Sequence, residues 1–163
     1  MLPRAAARFA PAPAADVYKR QVVNTVTNQI FVANTGSTTV TVVDGLTNAP
    51  MTVSVGTTPG VMAVNEVTNQ VFVANPGANT VTVIDAANNY KTTTVTVGTD
   101  PVGPAVNAET NKVYVVNKTS NNVTVIDDHS RFVIALEATG RPDGGLVKVR
   151  LERAFERLSL IHI

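Results

Sequence analysis

The sequence has no cysteine among its 163 residues, which excludes a disulfide framework and a thiolate metal site. It also has no apolar run that approaches the length of a membrane-spanning helix. Its formal net charge of +1 is close to neutral, so the overall charge indicates no nucleic-acid, membrane or acidic partner. The length suits one ordinary domain and is too short for two domains of typical size.

Arginine is absent from residues 22 to 127, where three lysines accompany six acidic residues. Residues 128 to 158 instead contain five arginines and one lysine alongside five acidic residues. This change in composition near Asp127 predicts a boundary between two segments of different character.

The arginine-free segment is built from a repeat. Asn24, Asn65 and Asn107 occupy the same place in three copies, 41 and 42 residues apart. Each copy contains short segments rich in Val and Thr, separated by Asn, Gly and Pro, which predicts four strands per period. A fixed period of this size is typical of repeat architectures, in which each unit buries its apolar surface against its neighbours.

The alternation within a strand predicts how the repeats pack. In "QVFVAN", Val71 and Val73 lie on one face, while Phe72 and Ala74 lie on the other, so both faces are apolar. Such a strand belongs in a sheet that is covered on both sides. Four antiparallel strands per period with both faces covered predict the blades of a β-propeller, an all-β fold.

The polar positions of the repeat predict turns. Asn69 and Asn111 stand where a hairpin turn needs a residue that tolerates positive φ. Asp44 and Asp85 end strands, and we expect each to begin the next turn through side-chain to backbone hydrogen bonds.

The tetrapeptides "FVAN", "FVAN" and "YVVN", beginning at Phe31, Phe72 and Tyr114, carry a family resemblance. With the preceding "VNxxTN" and the following "VTVID", residues 22–127 resemble the YVTN family of β-propeller repeats. The resemblance implies a bacterial or archaeal, often exported or cell-surface protein, acting as a binding or scaffold module. Only about two and a half blades are expected here, whereas closure needs at least four, so unpaired blade faces are predicted.

The remainder of the chain leaves this pattern. Residues 128–158 predict a strand in "RFVIALEA", a loop in "TGRPDGG" and an amphipathic helix in "LVKVRLERAFERL". The apolar stripe of that helix contains Val147, Leu151, Ala154, Phe155 and Leu158. This order of elements indicates part of an α/β domain.

Residues 125–158 resemble the integrase-type catalytic core of DDE transposases, chiefly through "DDHSR". The resemblance implies part of an RNase H-like fold that acts on DNA with three carboxylates and two Mg²⁺ ions. In that family the first catalytic Asp precedes this hairpin, and the other carboxylates follow well beyond the helix. Asp127 and Asp128 therefore match the hairpin, and no catalytic residue carries over.

The candidate histidine, arginine and asparagine residues do not predict a catalytic or binding site. His129 has no partner in a recognisable arrangement, and the arginines near the C-terminus alternate with glutamates as on a solvated helix face. Asn117 and Asn122 fit a glycosylation pattern that a Thr- and Asn-rich repeat produces by chance. We therefore predict no catalytic, cofactor-binding or metal-binding residues and no cofactor, with Mg²⁺ relevant only to a complete transposase.

The two ends, residues 1–21 and 159–163, resemble translated sequencing-adaptor sequence and are expected to lie outside any fold. The sequence thus predicts an incomplete propeller joined to an incomplete integrase core, with "VID" as the shared sequence at a join made during sequence assembly. A propeller parent is expected outside the cytoplasm or at the cell surface, and a transposase parent in the cytoplasm.

Three functions are compatible with these patterns. The first is a non-enzymatic binding or scaffold module with an unknown protein or small-molecule ligand. The alternative is a catalytically incomplete fragment of a DNA-acting transposase or integrase. A third is that the complete parent propeller is an enzyme, such as a lactonase or dehydrogenase, with its active site in loops around the central channel.

Overall fold

The computed structural model describes residues 20–128 and the backbone of residues 133–136. These residues form three four-stranded antiparallel sheets, each made from four strands that are consecutive in the sequence. The first sheet contains β1 (Gln21–Asn24), β2 (Gln29–Asn34), β3 (Thr39–Asp44) and β4 (Pro50–Ser54). The second contains β5 (Met62–Asn65), β6 (Gln70–Asn75), β7 (Thr80–Asp85) and β8 (Lys91–Thr96). The third contains β9 (Pro101–Asn107), β10 (Lys112–Asn117), β11 (Asn122–Asp127) and β12 (Val133–Leu136).

The turns between strands follow the predicted chemistry. Asn69 and Asn111 adopt φ values of 55° and 51°, in the left-handed region that Asn tolerates better than most residues. Asp44 ends β3, and its Oδ1 accepts hydrogen bonds of 2.8 Å from the backbone amides of Leu46 and Thr47. The predicted turn roles of Asn69, Asn111 and Asp44 are therefore confirmed.

The second sheet lies between the other two and is covered on both faces. Phe31 and Ala33 of β2 pack with Val71 and Val73 of β6 in one buried apolar cluster. On the opposite face of β6, Phe72 packs in a second cluster that includes residues of the third sheet, Val113, Val115 and Ile126. Burial of both faces of β6 confirms the packing predicted from the "QVFVAN" alternation.

The asparagine that ends each tetrapeptide links the second and third strands of its sheet. Asn75 is fully buried, and its Nδ2 donates hydrogen bonds to Oγ1 of Thr80 at 3.2 Å and of Thr82 at 2.9 Å. Asn34 makes the same pair of hydrogen bonds to Thr39 and Thr41. These asparagines hydrogen-bond to threonine hydroxyls near the end of each hairpin, so their repetition has a structural cause.

The third sheet is more complete than the sequence predicts. The expected two and a half blades are corrected to three four-stranded sheets, because Val133–Leu136 pairs antiparallel with Val123–Ile126 as the fourth strand. Backbone groups make this pairing, so a short strand of unrelated sequence can complete an exposed sheet edge. The strand predicted in "RFVIALEA" therefore exists, and it belongs to the repeat architecture instead of an α/β core.

Several predicted features lie outside the described residues. They are the amphipathic helix within residues 146–158, the "TGRPDGG" loop and the terminal segments 1–19 and 159–163. The helix and the RNase H-like core are consequently not confirmed, and the described fold is all β apart from turns and a short 3₁₀ helix, Pro76–Ala78, between β6 and β7. At the N-terminal side, β1 already begins at Gln21, which pairs with Val32.

Candidate functional site

A cleft of about 430 Å³ lies at one edge of the three sheets. Each sheet contributes residues from the start of its first strand or just before it, and the single residue that directly follows its second strand. The lining residues are Arg20, Thr35, Thr58, Pro59, Gly60, Val61, Pro76, Pro101, Val102 and Lys118. The first strand of the second sheet, β5, contacts the first strands of the other two sheets, β1 and β9, and the cleft opens where these strands converge.

Hydrogen bonds tie one wall of the cleft together. Arg20 Nη1 donates to Thr35 Oγ1 at 3.2 Å, and Thr35 Oγ1 donates to the carbonyl oxygen of Pro59 at 3.2 Å. Thr58 Oγ1 accepts a 2.7 Å hydrogen bond from the backbone amide of Gly77. These hydrogen bonds hold the guanidinium group of Arg20 and the hydroxyl groups of Thr35 and Thr58 in fixed positions in the cleft wall.

Among the described residues that line the cleft, Arg20 and Lys118 carry the charged side chains, and both are cationic. Lys118 follows β10 directly, at the repeat position that Thr35 and Pro76 occupy in the other sheets. Its backbone amide donates a 2.9 Å hydrogen bond to the carbonyl oxygen of Asp100. The replacement of a neutral residue by lysine distinguishes the third copy of the repeat at this edge.

The loops that enter the first strands contain strained backbone. Thr58 and Asp100 precede Pro59 and Pro101 and have φ values of +51° and +56°. For a β-branched residue such as Thr58, this conformation costs on the order of 1–3 kcal/mol. The hydrogen bonds from Gly77 to its hydroxyl and from its own amide to Ser37 hold it in place.

The acidic pair singled out in the sequence has a structural role. Asp127 ends β11, and Asp128 follows it in a turn with only 4% of its surface exposed. Oδ2 of Asp128 accepts hydrogen bonds from Asn65 Nδ2 at 2.8 Å and from Thr68 Oγ1 at 2.9 Å. Asp128 therefore links the second and third sheets, a contact that sequence reasoning missed because it joins residues 63 positions apart.

The asparagines of the glycosylation pattern are structural as well. Asn117 is fully buried, and its Nδ2 donates hydrogen bonds of 2.8 Å to Asn122 Oδ1 and Thr124 Oγ1. A side-chain nitrogen that is buried and bonded in this way is not available to a glycosylating enzyme. His129 and the arginines near the C-terminus lie outside the described residues.

Residues 20–128 and 133–136 contain no group of three or more His, Cys, Asp or Glu side chains placed to hold a metal ion. Within this same part of the chain, no helix has the length and apolar character needed to cross a membrane.

The cleft was not predicted from sequence, although one signal was present. The residues after the three tetrapeptides differ in charge, Thr35 and Pro76 being neutral and Lys118 cationic. At this position the third copy of the repeat therefore brings a positive charge that the other two copies lack. The location of Arg20 beside Thr35 required the tertiary structure.

No family model matches the sequence, and neither does any curated protein. Solved structures do resemble the fold. Hydrazine synthase from Kuenenia stuttgartiensis matches with a TM-score of 0.64 and 20% identity, over 78% of this chain and 38% of that one. Virginiamycin B lyase from Staphylococcus aureus matches with a TM-score of 0.64 and 11% identity, over 74% of this chain and 41% of that one.

A third similar structure is dihydro-heme d1 dehydrogenase in complex with DHE, with a TM-score of 0.59 and 22% identity. The match covers 70% of this chain and 25% of that one, so the chain spans less than half the length of each of these proteins. Likeness at such low identity shows the fold alone. None of the comparisons supports a transposase segment. The three sheets therefore form part of a β-propeller.

Proposed function

We propose that the chain is a non-enzymatic β-propeller binding module, and that its cleft binds a small molecule carrying an anionic group. One observation carries this proposal: in the part of the chain that the structure describes, the two charged side chains lining the cleft, Arg20 and Lys118, are both cations. A cleft of about 430 Å³ also falls within the volume range of small-molecule sites, which is roughly 300–1,000 Å³.

The lining suits recognition of a carboxylate or a phosphate. A guanidinium group presents several N–H donors in a plane, and a lysine ammonium adds a compact positive charge. Hydrogen bonds between such cations and an anion are stronger than those between neutral groups. The bond from Arg20 to Thr35 restrains the guanidinium, which lowers the entropy lost on binding.

The rest of the lining favours binding over catalysis. The hydroxyls of Thr35 and Thr58 can accept or donate hydrogen bonds, while Pro76, Pro101 and Val102 offer apolar contact. We assign no general base or nucleophile to these residues. A lyase and a dehydrogenase are among the structural neighbours, and catalysis by a larger parent propeller is the competing interpretation.

Two finer points belong to the same proposal. The repeated "FVAN" and "YVVN" tetrapeptides support assignment to the YVTN type of repeat, and with it a location outside the cytoplasm. The DNA-acting alternative has no support, since its predicted strand is the fourth strand of the third sheet.

Thermal unfolding of the full chain with citrate or inorganic phosphate tests the proposal. A ligand that binds only the folded state raises the free energy of unfolding, by about 2.7 kcal/mol at 100 times its dissociation constant. We expect a saturable increase in melting temperature at constant ionic strength. Arg20→Gln and Lys118→Gln should each weaken that response.

Lys91→Gln is the matched control, because Lys91 is exposed on β8, is absent from the cleft lining and loses the same charge. It should retain the response of the unmodified chain. If all three variants lost the response equally, the anions would be responding to the net charge of the chain, which would contradict a specific site in the cleft. The absence of a saturable response in the unmodified chain would also reject the anion site.

A further inference from the structure

The interfaces between neighbouring sheets repeat residue by residue. We call the side of a sheet that packs against the following sheet its leading face, and the opposite side its trailing face. The leading faces of the first two sheets consist of Phe31, Ala33, Val40 and Val42, and of Phe72, Ala74, Val81 and Val83. The trailing faces of the second and third sheets consist of Val71, Val73 and Ile84, and of Val113, Val115 and Ile126. All of these side chains are buried.

The third sheet presents a leading face of the same design, part of which remains accessible. The strand register gives this face Tyr114, Val116, Val123 and Val125. Tyr114 is 37% exposed and Val116 48% exposed, whereas the equivalent Phe72 and Ala74 are fully buried. Val125 is already buried, so the accessible part of the face is the half formed by β10.

The first sheet presents the complementary trailing face. Ile30, Val32 and Val43 match the buried trios of the other two sheets in register, and each is only half-buried. Val23 of β1 pairs with Ile30 and is 48% exposed. Its equivalents Val64 and Val106 pack against the two apolar clusters between the sheets.

A polar contact at the first of these interfaces has counterparts at the two outer faces, although the second interface uses a different polar pair. Between the first and second sheets, buried Asn24 donates through Nδ2 a 3.1 Å hydrogen bond to Oδ1 of Asn69. The repeat equivalents at the two accessible faces are Asn107 on the third sheet and Asn28 on the first, and both are exposed. The chain therefore carries at its two outer faces the two halves of an interface that it already makes internally.

We propose that the trailing face of a second copy of this chain packs on the leading face of the third sheet. The reciprocal contact, made by the same two copies, closes a two-fold ring of six sheets. Six lies within the range of about 4–8 blades found in propellers. Each of the two contacts joins a leading face to a trailing face, so the six sheets close into a ring only if the rotation from sheet to sheet completes a full turn. This association is independent of the anion proposed for the cleft.

A second copy is the favoured partner because the residues of the two outer faces correspond one by one to those of the interfaces inside the chain. Tyr114 would replace Phe31 and Phe72, and its ring would join a cluster with Ile30, as theirs do with Val71 and Val113. An unrelated partner would need to reproduce this spacing of Val and Ile side chains. Burying the accessible apolar residues of both faces provides the driving force.

Two substitutions, each on one face, test the proposal. Val116→Lys places a charge on the leading face and Val23→Lys on the trailing face, at positions that are both 48% exposed. Val67→Lys is the control, since Val67 lies in a turn of the second sheet and is 73% exposed. Circular dichroism and urea unfolding establish that each variant is folded, and sedimentation equilibrium gives the mass.

We expect the unmodified chain and Val67→Lys to reach twice the monomer mass as concentration rises. Val116→Lys and Val23→Lys should each remain monomeric alone, yet form a dimer when mixed, because the mixture restores one unmodified pair of faces. A monomeric unmodified chain would overturn the proposal. Dimerisation of either face variant alone would overturn the pairing of leading with trailing face, and a series of larger polymers would overturn the closed ring.

Discussion

Nδ2 of Asn65 donates a 2.8 Å hydrogen bond to Oδ2 of Asp128 across the junction of the second and third sheets. Asn65 is fully buried, and Asp128 is 4% exposed. Within the described part of the chain, the other carboxylate oxygen, Oδ1, is buried and has no hydrogen-bond partner. The first residue after the repeat pattern in the sequence is thus an attachment point between sheets.

Asp128→Ala should lower the free energy of unfolding by about 1–3 kcal/mol, because it leaves the amide of Asn65 buried without an acceptor. Asp128→Asn can keep an oxygen toward Asn65 and Thr68 while it removes a buried charge, so it should be close to neutral or stabilising. Urea unfolding of both variants measures the difference. Glu109→Ala, in an exposed turn, is the control, and equal losses in the two Asp128 variants would contradict this account.

Phe72→Ala should destabilise the chain far more than Tyr114→Ala, although the two aromatic residues hold the same repeat position. Phe72 is fully buried between two sheets, and its truncation should cost about 3–5 kcal/mol. Tyr114 is 37% exposed, so its truncation should cost less than about 1 kcal/mol. Urea midpoints at low protein concentration give both values. Similar costs would show that the third sheet's leading face is covered within one chain.

Gly56→Ala should destabilise the fold because a methyl group at this position would lie 2.7 Å from Cγ of Asn75. Asn75 cannot easily move, since its Nδ2 is hydrogen-bonded to Thr80 and Thr82. We expect a loss of about 1–3 kcal/mol, typical of overpacking. In the control Gly103→Ala, the nearest atom is 3.9 Å away, so stability should be unchanged or slightly higher. Equal melting temperatures for the two variants would contradict the prediction.

Glu66 should stabilise the junction of the first two sheets in a pH-dependent way. Its Oε1 accepts hydrogen bonds from the backbone amide and the hydroxyl of Thr25, which lower its pKa below the ordinary value of 4.5, the amide having the larger effect. A depressed pKa in the folded state means that the stabilisation is complete above about 4.5 and is lost as pH falls through the folded value.

Glu66→Gln should therefore reduce stability at neutral pH, and its difference from the unmodified chain should shrink as pH falls below 4.5. Thr25→Val removes only the hydroxyl donor, so it should retain most of the pH dependence. Urea unfolding at a series of pH values distinguishes the two variants. A difference between Glu66→Gln and the unmodified chain that does not vary with pH would exclude a charged contact.

Sequence periodicity alone determined most of the repeat. The positions of Asn69 and Asn111 identified turns, and the two apolar faces of β6 required a sheet on each side. These features follow from local rules: strand side chains alternate between faces, and few residues tolerate positive φ. Their outcome is visible in a single repeat without knowledge of distant contacts.

Tertiary structure decided the features that depend on contacts distant in the sequence. Val133–Leu136 completes the third sheet because the backbone groups at the edge of β11 accept a strand with little regard to side chains. Asp128 meets Asn65, and Arg20 meets Thr35 in the cleft, only after the sheets pack. Local pattern fixes which face of a strand is apolar, whereas packing between sheets fixes which faces are covered and which polar groups meet.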